Sequence, residues 1–193
     1  MNINILINRV KGIIVNPTKE WEIIRTENID KNKIIKEYAL PLIILITIST
    51  LIGSLGSPKF LAPSFSYSVV SAFITFTVSI ISIYISSYII NEIGASFGVT
   101  KNIENSFKLI IYSSTPAYIA SIIANFHWTL SFINILGVYS VYLFWLGSSQ
   151  ILNIHEDKKV GFVILSFLIL LIVYLILAVL IGGIILSTAF TFK

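Results

Sequence analysis

The chain has 193 residues, of which 56% are hydrophobic and only 11% are charged. Soluble globular domains carry about 25% charged residues, so the composition excludes an ordinary water-soluble domain, and the high hydrophobicity excludes intrinsic disorder. The sequence contains no cysteine, which excludes a disulfide scaffold, a zinc–thiolate site and a cysteine nucleophile. The composition therefore predicts an integral membrane protein, and the length suits a single compact bundle.

The first 37 residues are predicted to form amphipathic helices on the cytoplasmic side of the membrane, ahead of a membrane-spanning bundle over residues 38–193. Seven of the thirteen Lys and Arg residues lie in this N-terminal tail. Such a basic amphipathic helix lies in the membrane interface or docks on the end of the bundle, and the two interpretations are compatible. The apolar residues that recur at helical spacing are Ile3, Leu6, Ile7, Val10, Ile13 and Ile14.

A second helix of the tail is predicted to begin at Pro17. Asn16 is its predicted N-cap, and proline suits the first helical position because its missing N–H would have no partner there. Trp21 and Ile24 lie three residues apart on one face, which we expect to meet the membrane or the bundle. Asp30 marks the start of another short helix that continues into the first span.

Long uncharged runs begin after residue 37 and predict five membrane-spanning helices. A helix needs about 20 apolar residues to cross the hydrocarbon core. The uncharged run from Leu109 to His155 is 47 residues long, so it is divided into two spans at a hairpin near Asn125. Helices are expected because short strands that cannot close a barrel would leave backbone groups unpaired in lipid. The predicted spans are Ala39–Leu55, Val69–Ile90, Leu109–Ala124, Leu130–Leu152 and Val160–Ser187.

The basic residues predict the orientation of these spans. With the N-terminus inside, eleven Lys and Arg residues lie on the cytoplasmic side and only Lys59 and Lys193 lie outside. Basic residues in short loops are retained in the cytoplasm. The predicted fold is thus an all-α membrane protein, a five-helix transmembrane bundle with N-terminal amphipathic helices, N-inside and C-outside. The predicted location is the cytoplasmic (inner) membrane of a prokaryote.

The predicted span cores contain no ionisable side chain, which argues against a proton-coupled transporter or a charge-conducting pore. Glu92 and Lys108 fall at the membrane interface, and Asn91 with Glu92 is a candidate lining of a cavity on the cytoplasmic side. Motifs such as H-E-x-x-H and G-x-S-x-G are missing, so neither catalysis nor a cofactor is predicted.

Acidic residues and a histidine on the predicted cytoplasmic side could take up a divalent cation. Their spacing is not that of a known ligand set, so a solvated charged surface is the favoured interpretation and no metal is predicted. The residues in question are Glu92, Glu104, His155 and Asp157.

The second span carries a regular stripe of hydroxyl residues. Small residues at this spacing let helices approach closely, and we favour a packing role. The alternative is a path for a polar solute, with Thr75 and Ser79 on its wall. In the third span Pro116 interrupts the hydrogen-bond ladder and predicts a bend. The stripe consists of Ser68, Ser71, Thr75, Ser79, Ser82 and Ser86.

Several segments, taken in order, resemble prokaryotic Yip-domain proteins. Residues 16–24 (NPTKEWEII) are similar to the N-P-x-x-x-W/F-x-x-I opening of that family, and residues 38–42 (YALPL) resemble the start of its first span. Residues 97–108, followed by 112–116 (YSSTP), resemble its loop into a proline-bearing third span. Residues 142–152 resemble the end of its fourth span. The motif positions are Asn16, Pro17, Trp21, Pro41, Gly98 and Pro116.

The resemblance implies a five-helix integral membrane protein without catalytic residues. Eukaryotic members of that family bind Rab-type GTPases and act in early secretory traffic and membrane shaping. The leading hypothesis is a non-enzymatic protein that acts by lipid or protein interaction at the cytoplasmic face, in membrane organisation or as a trafficking-like adaptor. Its expected partners are membrane lipids and a protein partner or second copy, not nucleic acid. The alternative is a small permease or channel for a neutral or lipidic solute. The candidate residues are Trp21, Asn91, Glu92, Thr75, Ser79 and Pro116.

Overall fold

The computed structural model describes residues 3–56 and 65–191, and these residues form helices joined by short connections, with no strand among them. The N-terminal tail forms three helices, followed by one π-helical turn, Ile35–Ala39, that joins the tail to the first long apolar helix. The predicted tail helices are therefore confirmed. They and the helix that follows are α1 (Ile3–Val15), α2 (Pro17–Thr26), α3 (Lys31–Ile34) and α4 (Leu40–Leu55).

The starts of the tail helices α2 and α3 lie at the capping residues predicted from the sequence. Pro17 occupies the first turn of α2 and Asn16 is its N-cap residue, both as predicted, although the side chain of Asn16 makes no capping hydrogen bond. The carboxylate of Asp30 accepts a hydrogen bond from the backbone N–H of Asn32 at 3.1 Å, which confirms the predicted start of α3.

The rest of the described chain consists of long apolar helices. Four helical stretches in the described residues, 31–55, 65–96, 128–152 and 156–177, are long and apolar enough to cross a membrane. The third predicted span is a bent pair of helices, and it makes a fifth if the pair is counted as one span. The remaining elements are α5 (Phe65–Ser96), α6 (Ile103–Ser113), α7 (Thr115–Ala124), a 3₁₀-helix (Trp128–Val138), α8 (Tyr139–Leu152) and α9 (Glu156–Thr191).

The bend predicted from Pro116 is confirmed. Helices α6 and α7 meet at 40° across a break at Ser114, and Pro116 lies in the first turn of α7. Proline is tolerated in that turn because its N–H would have no helical partner. Pro116 has no N–H to give to the carbonyl oxygen of Tyr112 one turn earlier, and that oxygen accepts instead from the hydroxyl of Thr115 at 2.7 Å.

The fourth span differs from its prediction. We predicted one α-helix over 130–152, but Trp128–Val138 is a 3₁₀-helix with no buried residue, and α-helical structure begins at Tyr139. A 3₁₀-helix of this length is uncommon. Apolar residues occur on every side of this segment, so the sequence carries no periodicity that would distinguish the two helix types.

Helix packing divides the bundle into a dense end and a hollow part. Helix α2 packs on α8, α6 packs on α8, and α4 packs on α5 and α7. Large side chains that are fully buried concentrate where α2, α6, α8 and the start of α9 meet, and examples are Trp21, Phe107, Leu109, Leu143 and Phe162. The hydrophobic core therefore sits next to the docked tail.

Candidate functional site

Helix α2 is anchored to the bundle by Trp21, whose side chain is fully buried. The indole fills a notch at Gly147 of α8, where an added Cβ would lie 2.6 Å from Cζ2 of Trp21 and 2.7 Å from Cδ1 of Leu109. Its ring also meets Tyr112 edge-on, with the ring centroids 6.4 Å apart. Of the two surroundings expected for Trp21, the structure gives the bundle rather than the membrane.

Lys108 holds the other end of α2. This residue, which we predicted at the membrane interface, is part of α6, and only 6% of it is exposed. Its ammonium donates to the carbonyl oxygens of Ile24 at 3.3 Å and of Glu27 at 2.5 Å. The last carbonyls of a helix have no helical partner and carry partial negative charge, so a cation there stabilises the helix end.

Arg9 ties α1 to α2. Its guanidinium donates to the carboxylate of Glu20 at 2.6 Å and to that of Glu27, and it lies 5.7 Å from the ring centroid of Tyr112. Burial by itself lowers the pKa of Arg9, whereas Tyr112, Glu27 and Glu20 raise it, and the net shift of the pKa is upward. Gly12 makes room for this arrangement, because a Cβ there would lie 2.2 Å from the Glu20 carboxylate.

These contacts make α1 and α2 one unit, which we call the N-terminal platform. Its outer surface is partly apolar. Leu6 and Ile13 of α1 face the protein, but Ile3 and Ile7 are 60% and 56% exposed. All four belong to the apolar stripe predicted from the sequence. The stripe therefore meets the bundle with one side and leaves the other side uncovered, so the docking interpretation holds without excluding the interfacial one.

A second feature is a cavity of about 1040 Å³ bounded by α4, α5, α7 and α9. Five of the six residues of the hydroxyl stripe of α5 line it, including Thr75 and Ser79, and α7 contributes Ala117 and Ser121. The sequence favoured a packing role for this stripe, whereas the structure places it on a cavity wall. None of the described lining residues is an Asp, Glu, Lys, Arg or His.

The other candidate residues lie away from this cavity. Glu92 is exposed and pairs with Lys101 at 2.5 Å, and the side-chain oxygen of Asn91 is buried without a hydrogen-bond partner in the described part of the chain. Neither residue lines the cavity. Pro116 does not line it either, although its neighbour Ala117 does.

The four residues considered for a divalent cation are not brought together. Glu104 accepts a hydrogen bond from the backbone N–H of Lys31, and Glu92 is engaged with Lys101. Within residues 3–56 and 65–191 no group of three or more His, Cys, Asp or Glu side chains is placed to hold a metal ion.

Three important positions were missed by sequence reasoning. Arg9 gave a usable signal, because a cation three residues after Leu6 and four before Ile13 shares the buried face of α1. Gly147 and Lys108 gave only a weak signal, since a glycine within an apolar span and a lysine at the start of another span each have many simple explanations.

Comparison with known proteins agrees with this architecture. The sequence matches the family model described as the Yip1 domain over residues 11–189. That range covers nearly the whole chain, from α1 to the last turns of α9. No curated protein and no solved structure matches the chain.

Proposed function

The chain belongs to the Yip1 domain family and is a multi-pass membrane protein, and on that premise we propose that it acts without catalysis, by contact with lipid through the N-terminal platform. The observation that carries the proposal is the uncovered apolar side of α1, with Ile3 and Ile7 more than half exposed. An apolar strip on a helix that is anchored to membrane-spanning helices is held close to the bilayer, and burying it in the membrane interface is favourable.

The way the platform is fixed supports this function. Trp21, Arg9 and Lys108 each join it to the rest of the protein or join its two helices. A strip held in this way has a defined position relative to the spans, unlike a flexible tail. We propose lipid rather than a protein as its occupant because Lys11, exposed one turn after Ile7, adds the cation that an anionic lipid surface attracts.

We further propose that the platform faces the cytoplasm of a prokaryotic cell. The support is the bias of eleven basic residues against two across the predicted topology. In this position the protein would organise the adjacent membrane or present a fixed surface to an adaptor partner.

The test uses the absence of cysteine, which allows single spin labels in an otherwise native chain. Labels are placed at Ile7→Cys and, as a matched control one position along α1, at exposed Asn8→Cys. In reconstituted protein, the label at position 7 should collide with lipid-soluble oxygen and the label at position 8 with a water-soluble nickel complex. Equal access of the nickel complex to both positions would refute lipid contact. Spin–spin coupling at position 7 that vanishes on dilution with unlabelled protein would show that a second copy covers the strip instead.

A second candidate function, passage of a neutral or lipidic solute, is favoured by the cavity beside α5. Its wall carries hydroxyls and no described ionic side chain, which suits a neutral molecule. Thr75→Leu and Ser79→Leu should then abolish uptake into proteoliposomes while the bundle stays folded. If stability falls and the wild type shows no uptake of any neutral solute, the cavity is not a transport path.

A further inference from the structure

We infer that the cavity bounded by α4, α5, α7 and α9 is a binding site for a neutral amphiphile with a hydroxyl-bearing head group and a hydrocarbon chain. The inference concerns binding and needs no transport. It is also independent of the N-terminal platform, because no residue of α1 or α2 is among the described lining. Four properties of the wall carry it: charge, shape, the state of its hydroxyls, and one unpartnered side chain.

The wall selects against charge. All its described polar groups are hydroxyls, phenols, the amide of Asn125 and the indole of Trp128. An ionic ligand would lose its hydration in this site without gaining a charged partner, which is costly in an apolar surrounding. A neutral molecule avoids that penalty.

The shape of the cavity suits a long molecule. Its lining on α5 runs from Tyr67 to Ser86. At a rise of about 1.5 Å per residue this is about 28 Å of helix, close to the thickness of about 30 Å of a bilayer's hydrocarbon core. Aliphatic side chains such as Ile74, Val78 and Leu170 form the rest of the wall. A hydrocarbon chain matches this length and this surface.

The hydroxyls of the wall are arranged as acceptors. Ser79 donates its proton to the carbonyl oxygen of Thr75 at 2.7 Å, and Ser54 donates to that of Leu51 at 2.9 Å. A hydroxyl has one proton and two lone pairs, so each of these groups has spent its donor inside its own helix and retains acceptor capacity. A ligand that pairs with them must bring donors, as an alcohol does and an ester or ether does not.

Ser71 marks where such a donor would be most effective. The residue lines the cavity and is only 9% exposed. Its hydroxyl oxygen is buried without a hydrogen-bond partner in the described residues. Buried polar groups are nearly always paired in native proteins, so an orphaned hydroxyl on a cavity wall points to a missing molecule. A change of the Ser71 side-chain rotamer would turn this oxygen toward the cavity, where a ligand hydroxyl can both donate to it and accept from it.

The first experiment measures binding by the full-length protein in zwitterionic nanodiscs. The probe is 1-oleoylglycerol carrying a photoactivatable diazirine in its chain, and labelled peptides are mapped by mass spectrometry. Label is expected in α5 and α7. Unlabelled 1-oleoylglycerol should compete about 25-fold better than methyl oleate, which has the same chain but no donor, because each of two lost hydrogen bonds is worth about fivefold. Free glycerol should not compete. Equal competition by methyl oleate, or competition by glycerol alone, would overturn the inference.

The second experiment compares two threonines of α5. Thr75→Leu adds bulk inside the cavity and should reduce labelling about tenfold or more. Thr77→Leu makes the same change on the same helix at a position outside the lining, and should leave labelling unchanged. Equal loss in both variants would mean that α5 was damaged, not that a site was filled, and would count against the inference.

A third variant separates binding from folding. Ser71→Ala removes the orphaned hydroxyl, so it should leave the melting temperature of the unliganded protein unchanged or higher. Affinity for the probe should fall about fivefold, the equivalent of one hydrogen bond. Unchanged affinity would refute the role given to Ser71 and with it the head-group assignment.

Discussion

The notch at Gly147 offers the sharpest test of how the tail is held. In Gly147→Ala, the new Cβ would lie 2.6 Å from Cζ2 and 2.8 Å from Cε2 of Trp21. Carbon atoms pack best at about 3.5 Å or more, so the indole must withdraw by about 0.9 Å. Trp21 is fully buried, so its ring can withdraw only by displacing its neighbours or its own helix. We therefore expect α2 to be displaced from α8.

Two opposing effects set the magnitude. Alanine is a better helix former than glycine by about 1 kcal/mol, whereas overpacking a well-packed site costs about 1–3 kcal/mol. The propensity gain is present whether or not α2 is docked, because α8 is helical in both states. The propensity gain therefore cancels from the docking equilibrium, whereas the overpacking penalty applies only to the docked state and remains. A loss of about 2 kcal/mol in docking free energy raises the undocked population about 30-fold.

Trypsin provides the assay. Arg25 is an exposed residue of α2, and cleavage after it requires the helix to open locally. When opening is fast relative to cleavage, the rate follows the open population, so it should rise about 30-fold in Gly147→Ala. Gly94→Ala is the matched control, because its Cβ would lie 3.7 Å from the nearest atom, in Val99. This control should leave the rate unchanged.

A double mutant decides whether the contact itself is responsible. Trp21→Phe removes the ring atoms that meet the new Cβ, so the effects of Gly147→Ala and Trp21→Phe should be less than additive by about 0.5–3 kcal/mol. If trypsin cleaved Gly147→Ala at the wild-type rate, or if the effects of the two substitutions were strictly additive, the notch would not be what holds α2.

Three further predictions concern polar contacts. Arg9→Gln removes the cation that both carboxylates share, so docking of α1 on α2 should weaken by about 1–3 kcal/mol. The loss should appear as faster trypsin cleavage in the tail, and Arg9→Lys should give a rate between that of Arg9→Gln and that of the wild type. Lys108→Met should destabilise the end of α2 by about 1–3 kcal/mol as well, measured by the same trypsin assay. The control Lys101→Met breaks an exposed ion pair and should change the stability by less than about 1 kcal/mol. Because the hydroxyl of Thr115 donates to a backbone carbonyl, that of Tyr38 donates to Thr115 at 2.7 Å. Tyr38→Phe should therefore lower the unfolding free energy in mixed micelles by about 1 kcal/mol, and adding Thr115→Val should cost less than the sum of the two changes; full additivity would show that the bond contributes nothing.

The sequence alone determined the class of protein, the approximate spans and several breaks between helices. Each of these depends on a local property. A run of uncharged residues is long enough to cross lipid or it is not, and Pro17, Asp30 and Pro116 act within one helical turn. Asn16 likewise lies at the predicted N-cap of α2, although its side chain makes no capping hydrogen bond there.

Only the tertiary structure decided which helix faces meet. For the hydroxyl stripe of α5 we favoured tight packing, but small polar residues at this spacing are also compatible with a cavity wall, and no local property of the sequence decides between the two. The anchoring contacts join residues far apart in the chain: Trp21 meets Gly147, and Lys108 reaches Ile24. Such pairs leave no periodic signal, because each depends on the shape of the space that other helices leave. The same physical cause hides both the notch that fixes the N-terminal platform and the cavity along α5.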